Sequence, residues 1–382
     1  MINFKFSDND QISKNRFTMA NIVLFLFGIL TVLNILGRST FSFDNKAIKI
    51  AYVVVILMFL ISLFLTKHSN YEYLWMIIGL IIGIENFLIT SQIEFLMIIL
   101  LLFSTSEMSP EKLLKMTMYI ISISLLVLFI LSSIGMIPNL PFYRNNVVRW
   151  SFGTHFPLVL SGYLFLFCAI VTVLYGKRYT FRTVVLLLLI ILWLEKFVNA
   201  RNDELCILFL VLVNLLNSFK NKYLKYISYI SFIFTIVFTL GSVFISELIP
   251  YTSLLFTKLN DVLSGRLQLQ HTLFQYYNPS FLGLNIAQKG MGGLVSNTAY
   301  YFYIDNSFCR YLFMGGIGLF VFIVYTFFKS SFQLIKAKRY IIGMVELILC
   351  INGVIADPLA SLSGGLLLPI FMINIRKFET DF

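Results

Sequence analysis

Apolar runs of about 20 residues recur along this sequence. There are twelve, at 19–37, 47–66, 73–90, 92–106, 113–134, 153–175, 182–199, 202–218, 226–246, 308–328, 340–356 and 359–375. Each approaches the length at which a helix rising ~1.5 Å per residue crosses a ~30 Å hydrocarbon core. A backbone in lipid must satisfy its own polar groups, so such runs are helices. The expected fold class is all-α: a polytopic integral membrane protein with about 12 transmembrane helices, residues 1–382 forming a single membrane domain. The third and fourth runs are the weakest, because Glu85 and Glu94 interrupt them, and the last has Gly364-Gly365 near its start. Counted otherwise, they give ten or eleven helices. Composition excludes a soluble chain: 59% of residues are hydrophobic and only 12% charged, against about a quarter charged in a soluble domain.

Charge gives the orientation. Cytoplasmic loops are enriched in Lys and Arg. With the N-terminus inside, alternate loops place 18 of the 29 Lys and Arg on the cytoplasmic side. Of the 11 outside, four lie in or just after one long loop, which counts little, so short loops give 18 against 7. Both termini are expected inside. The net charge of +11 is then mainly a topology signal, and it also suits anionic membrane lipids. No basic run interleaved with aromatics suggests nucleic acid. The first apolar run reads as a retained signal anchor, because Ile35-Leu36-Gly37-Arg38 does not resemble a small-residue cleavage site. Cys168, Cys206, Cys309 and Cys350 are isolated and read as apolar packing residues. No internal repeat is visible, which disfavours a transporter built from paired repeats.

Three exterior regions collect the polar residues. "IPNLPFYRNNVVRW" (137–150) reads as a loop carrying Arg144 and Arg149. Both are expected either as interfacial anchors beside Tyr143 and Trp150 or, for Arg149, as an anion ligand. His155 follows. "LEKFVNARNDELCILF" (194–209) is a tight turn in which Arg201 either pairs with Asp203 or Glu204 or points into an aqueous cavity. The third region, 247–306, is the longest non-spanning segment, and such long loops are usually functional. Within it, 260–277 has the spacing of a short amphipathic helix on the membrane and carries Arg266 and His271. Tyr301 and Tyr303 belong to an aromatic cluster that suits sugar stacking or an interfacial belt. Asp305-Asn306-Ser307 stands at the start of the tenth helix, where an N-cap is expected.

Arg149, Arg201, Arg266, His155, His271 and Asp305 thus come from separate loops on one membrane face. Arginine binds phosphate bidentately, so a lipid diphosphate fits a greasy pocket with a cationic mouth. No His/Asp/Glu set has metal spacing, so neither metal nor cofactor is expected. "KGMGGLVSN" lacks the Lys-Ser/Thr ending of a nucleotide loop.

The elements "RWSFGTHFP" (149–157), "NARNDEL" (199–205), "LSGRLQL" (263–269) and "DNSFCRYLFMGGIGLFVF" (305–322) resemble, in order and topology over residues 145–325, the Wzy-type polysaccharide polymerases, in the wider group that includes O-antigen ligases. Two departures stand out. The first motif reads His155-Phe156-Pro157 where the family often has His-Pro-Asn. Asp305-Asn306 replaces the His-Asn common in ligases, which suggests a carboxylate base. The resemblance implies a GT-C-like arrangement in the bacterial cytoplasmic membrane, with the site facing outside. It implies an inverting, metal-independent transfer of a glycan from undecaprenyl diphosphate to a second lipid-linked repeat. Arg149, Arg201 and Arg266 would hold the diphosphate. Asp305 would be the base, with His271 the second choice. His155, Asn306, Tyr301 and Tyr303 would support or bind sugar. A flippase and a chain-length regulator are the implied protein partners. The alternatives are a ligase-type glycan transferase and a flippase or exporter of lipid-linked sugars.

Overall fold

The computed structural model describes residues 8–41, 44–65, 70–105, 108–144, 147–217, 221–288 and 301–361. It is built from helices α1 (Asp8–Leu36), α2 (Asp44–Leu65), α3 (Asn70–Thr90), α4 (Ile93–Ser104) and α5 (Pro110–Ser133), then a hairpin of β1 (Pro141–Arg144) and β2 (Val147–Trp150). Next come α6 (Pro157–Tyr175), α7 (Thr180–Phe197), α8 (Arg201–Leu216), α9 (Asn221–Ile236) and α10 (Ser242–Leu248), the last two joined by a π-helical turn at Val237–Gly241. The chain continues through α11 (Leu254–Val262), α12 (Arg266–Tyr276), α13 (Ser307–Phe313), α14 (Gly316–Lys336) and α15 (Tyr340–Ile355).

This is a multi-pass, mostly helical membrane protein. Six helices among the described residues are long and apolar enough to cross a bilayer, and Ala20–Leu36, Ile93–Ser104 and Tyr340–Ile355 are shorter apolar helices. Large apolar side chains such as Leu88, Phe181 and Leu192 face outward, as lipid in place of water requires. Eleven of the twelve expected runs coincide with helices. The twelfth, 359–375, runs out of the described residues after 361, and His68, Tyr300 and all of "KGMGGLVSN" also lie outside them. All four cysteines are buried.

Three expectations need correction. The stretch 137–150 is not all loop: Phe142 pairs with Arg149 and Tyr143 with Val148 in an antiparallel ribbon. The β-branched Val147 and Val148 and the aromatic Trp150 favour that pairing. The amphipathic helix near 260–277 is two helices, because Ser264 (φ 56°) and Gly265 (φ 85°) both take left-handed backbone that ends α11 before α12 begins. Ser253 caps α11 by accepting from Phe256 N at 3.1 Å.

The third correction concerns the tenth run, which breaks at Met314 and Gly315, between α13 and α14. The segment 280–284 fills the break. Ile317 N donates to Ser280 O (2.9 Å), Gly318 N to Phe281 O (3.1 Å) and Leu284 N to Phe313 O (2.8 Å). Asn86 of α3 completes the closure, donating to Leu282 O (2.8 Å) and Met314 O (2.8 Å). Irregular backbone at this depth survives because protein groups satisfy it. Gly316 has φ 90°, and a Cβ there would meet Gly283 N at 2.4 Å and Phe281 O at 2.5 Å. Gly316→Ala is therefore expected to lower the melting temperature of the purified protein, the positive φ alone costing about 1–3 kcal/mol. Gly162→Ala, which meets nothing within 4 Å in mid-α6, is the control and is expected to leave it level or higher.

Candidate functional site

The turns at one end of the bundle are laced together. Thr40 N donates to Gly153 O (2.9 Å) and His155 N to Arg38 O (2.9 Å), tying the α1–α2 turn to the loop before α6. Arg149 Nε donates to Val198 O (2.7 Å), tying that loop to the α7–α8 turn. Arg144 Nη2 donates to Ser264 Oγ (2.6 Å), tying the hairpin to the α11–α12 turn. Gln270 donates to Ser242 O (2.7 Å), as does Asn306 (3.3 Å), so α10 fixes α12 against the start of α13.

This lacing gathers arginines. Arg144 is repelled by Arg201 and Arg266, and Arg149 by Arg144 and Arg266. Arg149 is 6% exposed, and burial first, then Arg144, lowers its pKa to about 10. Its Nη2 is buried with no hydrogen-bond partner. Like charges brought together with buried, unsatisfied N–H groups are costly and fit an anion. Arg201 is exposed and pairs with neither nearby carboxylate. Asp203 is buried and accepts from Ser161 and from Asn352 (2.8 Å), and Glu204 accepts from Ala200 N (2.7 Å).

The turns next to Arg149, Arg201 and Arg266 are also strained. Phe152 (φ 43°), Asn199 (φ 50°) and Ser264 (φ 56°) are non-glycine residues at positive φ, each within three positions of one of these arginines. Phe152 is held among Phe129, Trp193 and Phe197, with ring centroids 5.2, 5.2 and 6.1 Å away. Such conformations cost about 1–3 kcal/mol each and persist where surrounding structure dictates them.

The acid of the site is Asp305. The α13 N-cap is Asn306, whose Oδ1 accepts from Phe308 N (2.9 Å) and Cys309 N (3.2 Å). Asp305 is thereby free of capping. It faces Arg266, with Oδ2 3.4 Å from Nε. The pair lacks hydrogen-bond geometry, and Arg266 Nε has no hydrogen-bond partner. Burial pushes the Asp305 carboxyl up to about 6, against the opposing pull of Arg266. Both residues line a cavity of ≈ 470 Å³. Its walls are otherwise nearly all apolar: the π-helical turn and α10, α11, α12 and the end of α15.

Behind Asp305 lies a second ionic group that the sequence reading did not single out. Arg310 pairs with Asp357, Tyr303 Oη donates to Asp357 Oδ2 at 2.7 Å, and the Arg310 guanidinium lies 5.5 Å from the Tyr303 ring centre. Burial, then Asp357, raises the Tyr303 phenol. Arg38 and Glu94 interact with this group. Tyr303 lines the cavity, and Tyr301, 45% exposed, interacts with Asp305 and Arg266.

Not every expected residue joins. His271 does not line the cavity. Its Nδ1 is 2.8 Å from Glu247 Oε1, its Nε2 is 3.0 Å from the Gln275 amide, and its ring stacks on Tyr251 at 4.9 Å. Five residues separate it from Arg266, which places the two on different faces of α12. His155 is half-buried, and its backbone anchors the Arg38 turn. Asn306 does line the cavity, but both ends of its amide are engaged, in the cap and in the tie to α10. Arg144, read as an anchor, belongs with the cations. Among the described residues no group of three or more His, Cys, Asp or Glu side chains has the arrangement to hold a metal ion.

The fold and site together define a multi-pass helical membrane protein with an apolar cavity lined by Arg266 and Asp305; Arg144, Arg149 and Arg201 do not line it, and Arg144 and Arg149 interact with Arg266. Compared with known proteins, the chain matches no family model, no curated protein and no solved structure.

Proposed function

We propose that this protein is a polysaccharide polymerase of the outer face of a bacterial cytoplasmic membrane. It would cross the membrane about twelve times, in a GT-C-like arrangement with both termini cytoplasmic. Its donor is a glycan on undecaprenyl diphosphate and its acceptor a second lipid-linked repeat. The observation that carries this reading is the meeting of Asp305 and Arg266 in the wall of a greasy cavity, with Arg266 in the field of Arg144 and Arg149, and Arg201 in that of Arg144.

The chemistry follows from those groups. The acceptor hydroxyl oxygen forms a bond to the donor's anomeric carbon while the bond from that carbon to the phosphate oxygen breaks. The diphosphate leaves with the electron pair, and the arginines stabilise its growing charge. Asp305 takes the hydroxyl proton. Attack opposite the leaving group inverts the anomeric centre. Tyr301 and Tyr303 border the path of the sugars.

The test is purified protein in lipid nanodiscs given one lipid-linked repeat. A ladder of chain lengths on the lipid is the expected product. A single capping event on a different acceptor would make the protein a ligase, and movement of the lipid across vesicles without new glycosidic bonds would make it a flippase.

The pH profile is a second test. A base works only when deprotonated, so the rate is expected to fall as pH drops through about 6, tenfold per unit. Arg266 favours the charged carboxylate, so in Arg266→Gln the falling limb moves to higher pH. A limb that stays in place would remove Asp305 as the titrating group.

A further inference from the structure

At the other end of the bundle α15 carries a second acid. Glu346 is fully buried, six residues into the apolar helix and ~9 Å along it from the α14–α15 turn. Ser331 of α14 donates to its Oε2 at 2.9 Å. Its Oε1 is buried with no hydrogen-bond partner. The third wall is α9. Gly343 precedes Glu346 by one turn on the same face of α15, and a Cβ there would lie 3.5 Å from Ser228 Oγ and 4.0 Å from Leu334 Cβ. Ser228 is 2% exposed, and its hydroxyl also has no hydrogen-bond partner. Buried hydroxyls elsewhere in the helices turn back to the carbonyl four residues earlier, as Ser104 of α4, Thr117 of α5, Thr235 of α9 and Thr326 of α14 do at 2.6–3.0 Å. Ser228 does not.

An orphan carboxylate oxygen and an orphan hydroxyl therefore lie in one three-helix seam, where Gly343 leaves room. Serine hydroxyls do not neutralise it, and an ionised carboxylate within a membrane is expensive and marks a functional site by default, so Glu346 needs a positive charge. Ser330 of α14 also hydrogen-bonds the Glu346 carboxylate, and the Cys350 thiol, one turn on along α15, interacts with it. One carboxylate with hydroxyl oxygens suits a small hard ion of single charge. We infer that Glu346, Ser331 and Ser228 form an intramembrane site for one exchangeable monovalent cation, a proton or a sodium ion. The site stands apart from Asp305 and does not depend on the glycosyl-transfer reading.

Infrared difference spectroscopy on the full-length protein in liposomes tests it. The protonated-carboxyl band of Glu346 is assigned by its loss in Glu346→Gln. Should that variant fail to insert, Ser331→Ala assigns the band instead, by moving it to higher frequency. If the band fades as the pH is raised in choline buffer and ignores sodium, the cation is a proton. If it fades when sodium replaces choline at fixed pH, the cation is sodium. Ser228→Ala is expected to weaken either response by about threefold or more, the loss of one ligand or hydrogen bond. A band indifferent to both pH and sodium would identify a permanently neutral structural acid and overturn the inference. A Ser228→Ala response equal to wild type would remove α9 from the site and leave the proposed seam without its third wall, which also overturns it.

Discussion

Asp305→Asn is expected to stop polymerisation, with a loss of about 10² to 10⁴ in rate, while the amount of inserted protein stays level. The second half follows from the same geometry as the first. Burial disfavours the Asp305 charge more than Arg266 favours it, so a neutral side chain of the same shape is tolerated. Capping of α13 is untouched, because Asn306 supplies it. Product ladders and immunoblots of the membrane fraction, run side by side, check both. Wild-type ladders from Asp305→Asn would end its role as base. Loss of protein from the membrane would show that the carboxylate holds the fold.

Arg266→Lys is expected to be nearly as damaging to chain growth, about 10²- to 10³-fold, because one electrostatic contact to the leaving group is worth ~3–4 kcal/mol. Lysine keeps the charge and loses the planar fork. Arg266 now spreads three ways: Nε toward Asp305 at 3.4 Å, Nη1 to Leu263 O at 3.3 Å, and its charge toward Arg144 and Arg149. An ammonium reaches only one of these positions at a time. Long chains should vanish while unextended lipid-linked repeats persist. Lysine's supporting normal chain lengths would mean that bulk positive charge, and not bidentate geometry, holds the diphosphate.

The helices were readable in the sequence because lipid leaves a spanning backbone few choices, and residues 153–175 or 226–246 announce themselves by length alone. Breaks inside apolar runs were not. Gly315-Gly316 sits in an apolar stretch that continues a helix as readily as it interrupts one. Only the approach of residues 280–284, far off in sequence, decides between the two. The site was half legible. Arg149, Arg201, Arg266 and Asp305 stood out as charges placed where exterior loops are short of them, and the structure brings them to one end of the bundle. His271 also stood out and is turned away, since the composition of α12 does not say which of its faces meets the cavity. Arg144 was passed over because its partner, Ser264, lies 120 residues on. Asp357, Arg310 and Arg38 carried no local signal at all. A single charge at a helix end is ordinary, and it gains meaning only beside its opposite.

That scatter has a consequence for biosynthesis. The ties at this end join Arg38 to His155, Arg144 to Ser264, and Arg310 to Asp357. Long-range contacts of this kind form only after the intervening chain is in place. A ribosome-bound fragment that has threaded its first eight helices therefore owns arginines but no assembled site. The last charged partner, Asp357, leaves the ribosome only after α15. Half-made copies in the bilayer would thus lack the assembled cluster of charges, and completion of insertion would itself form it.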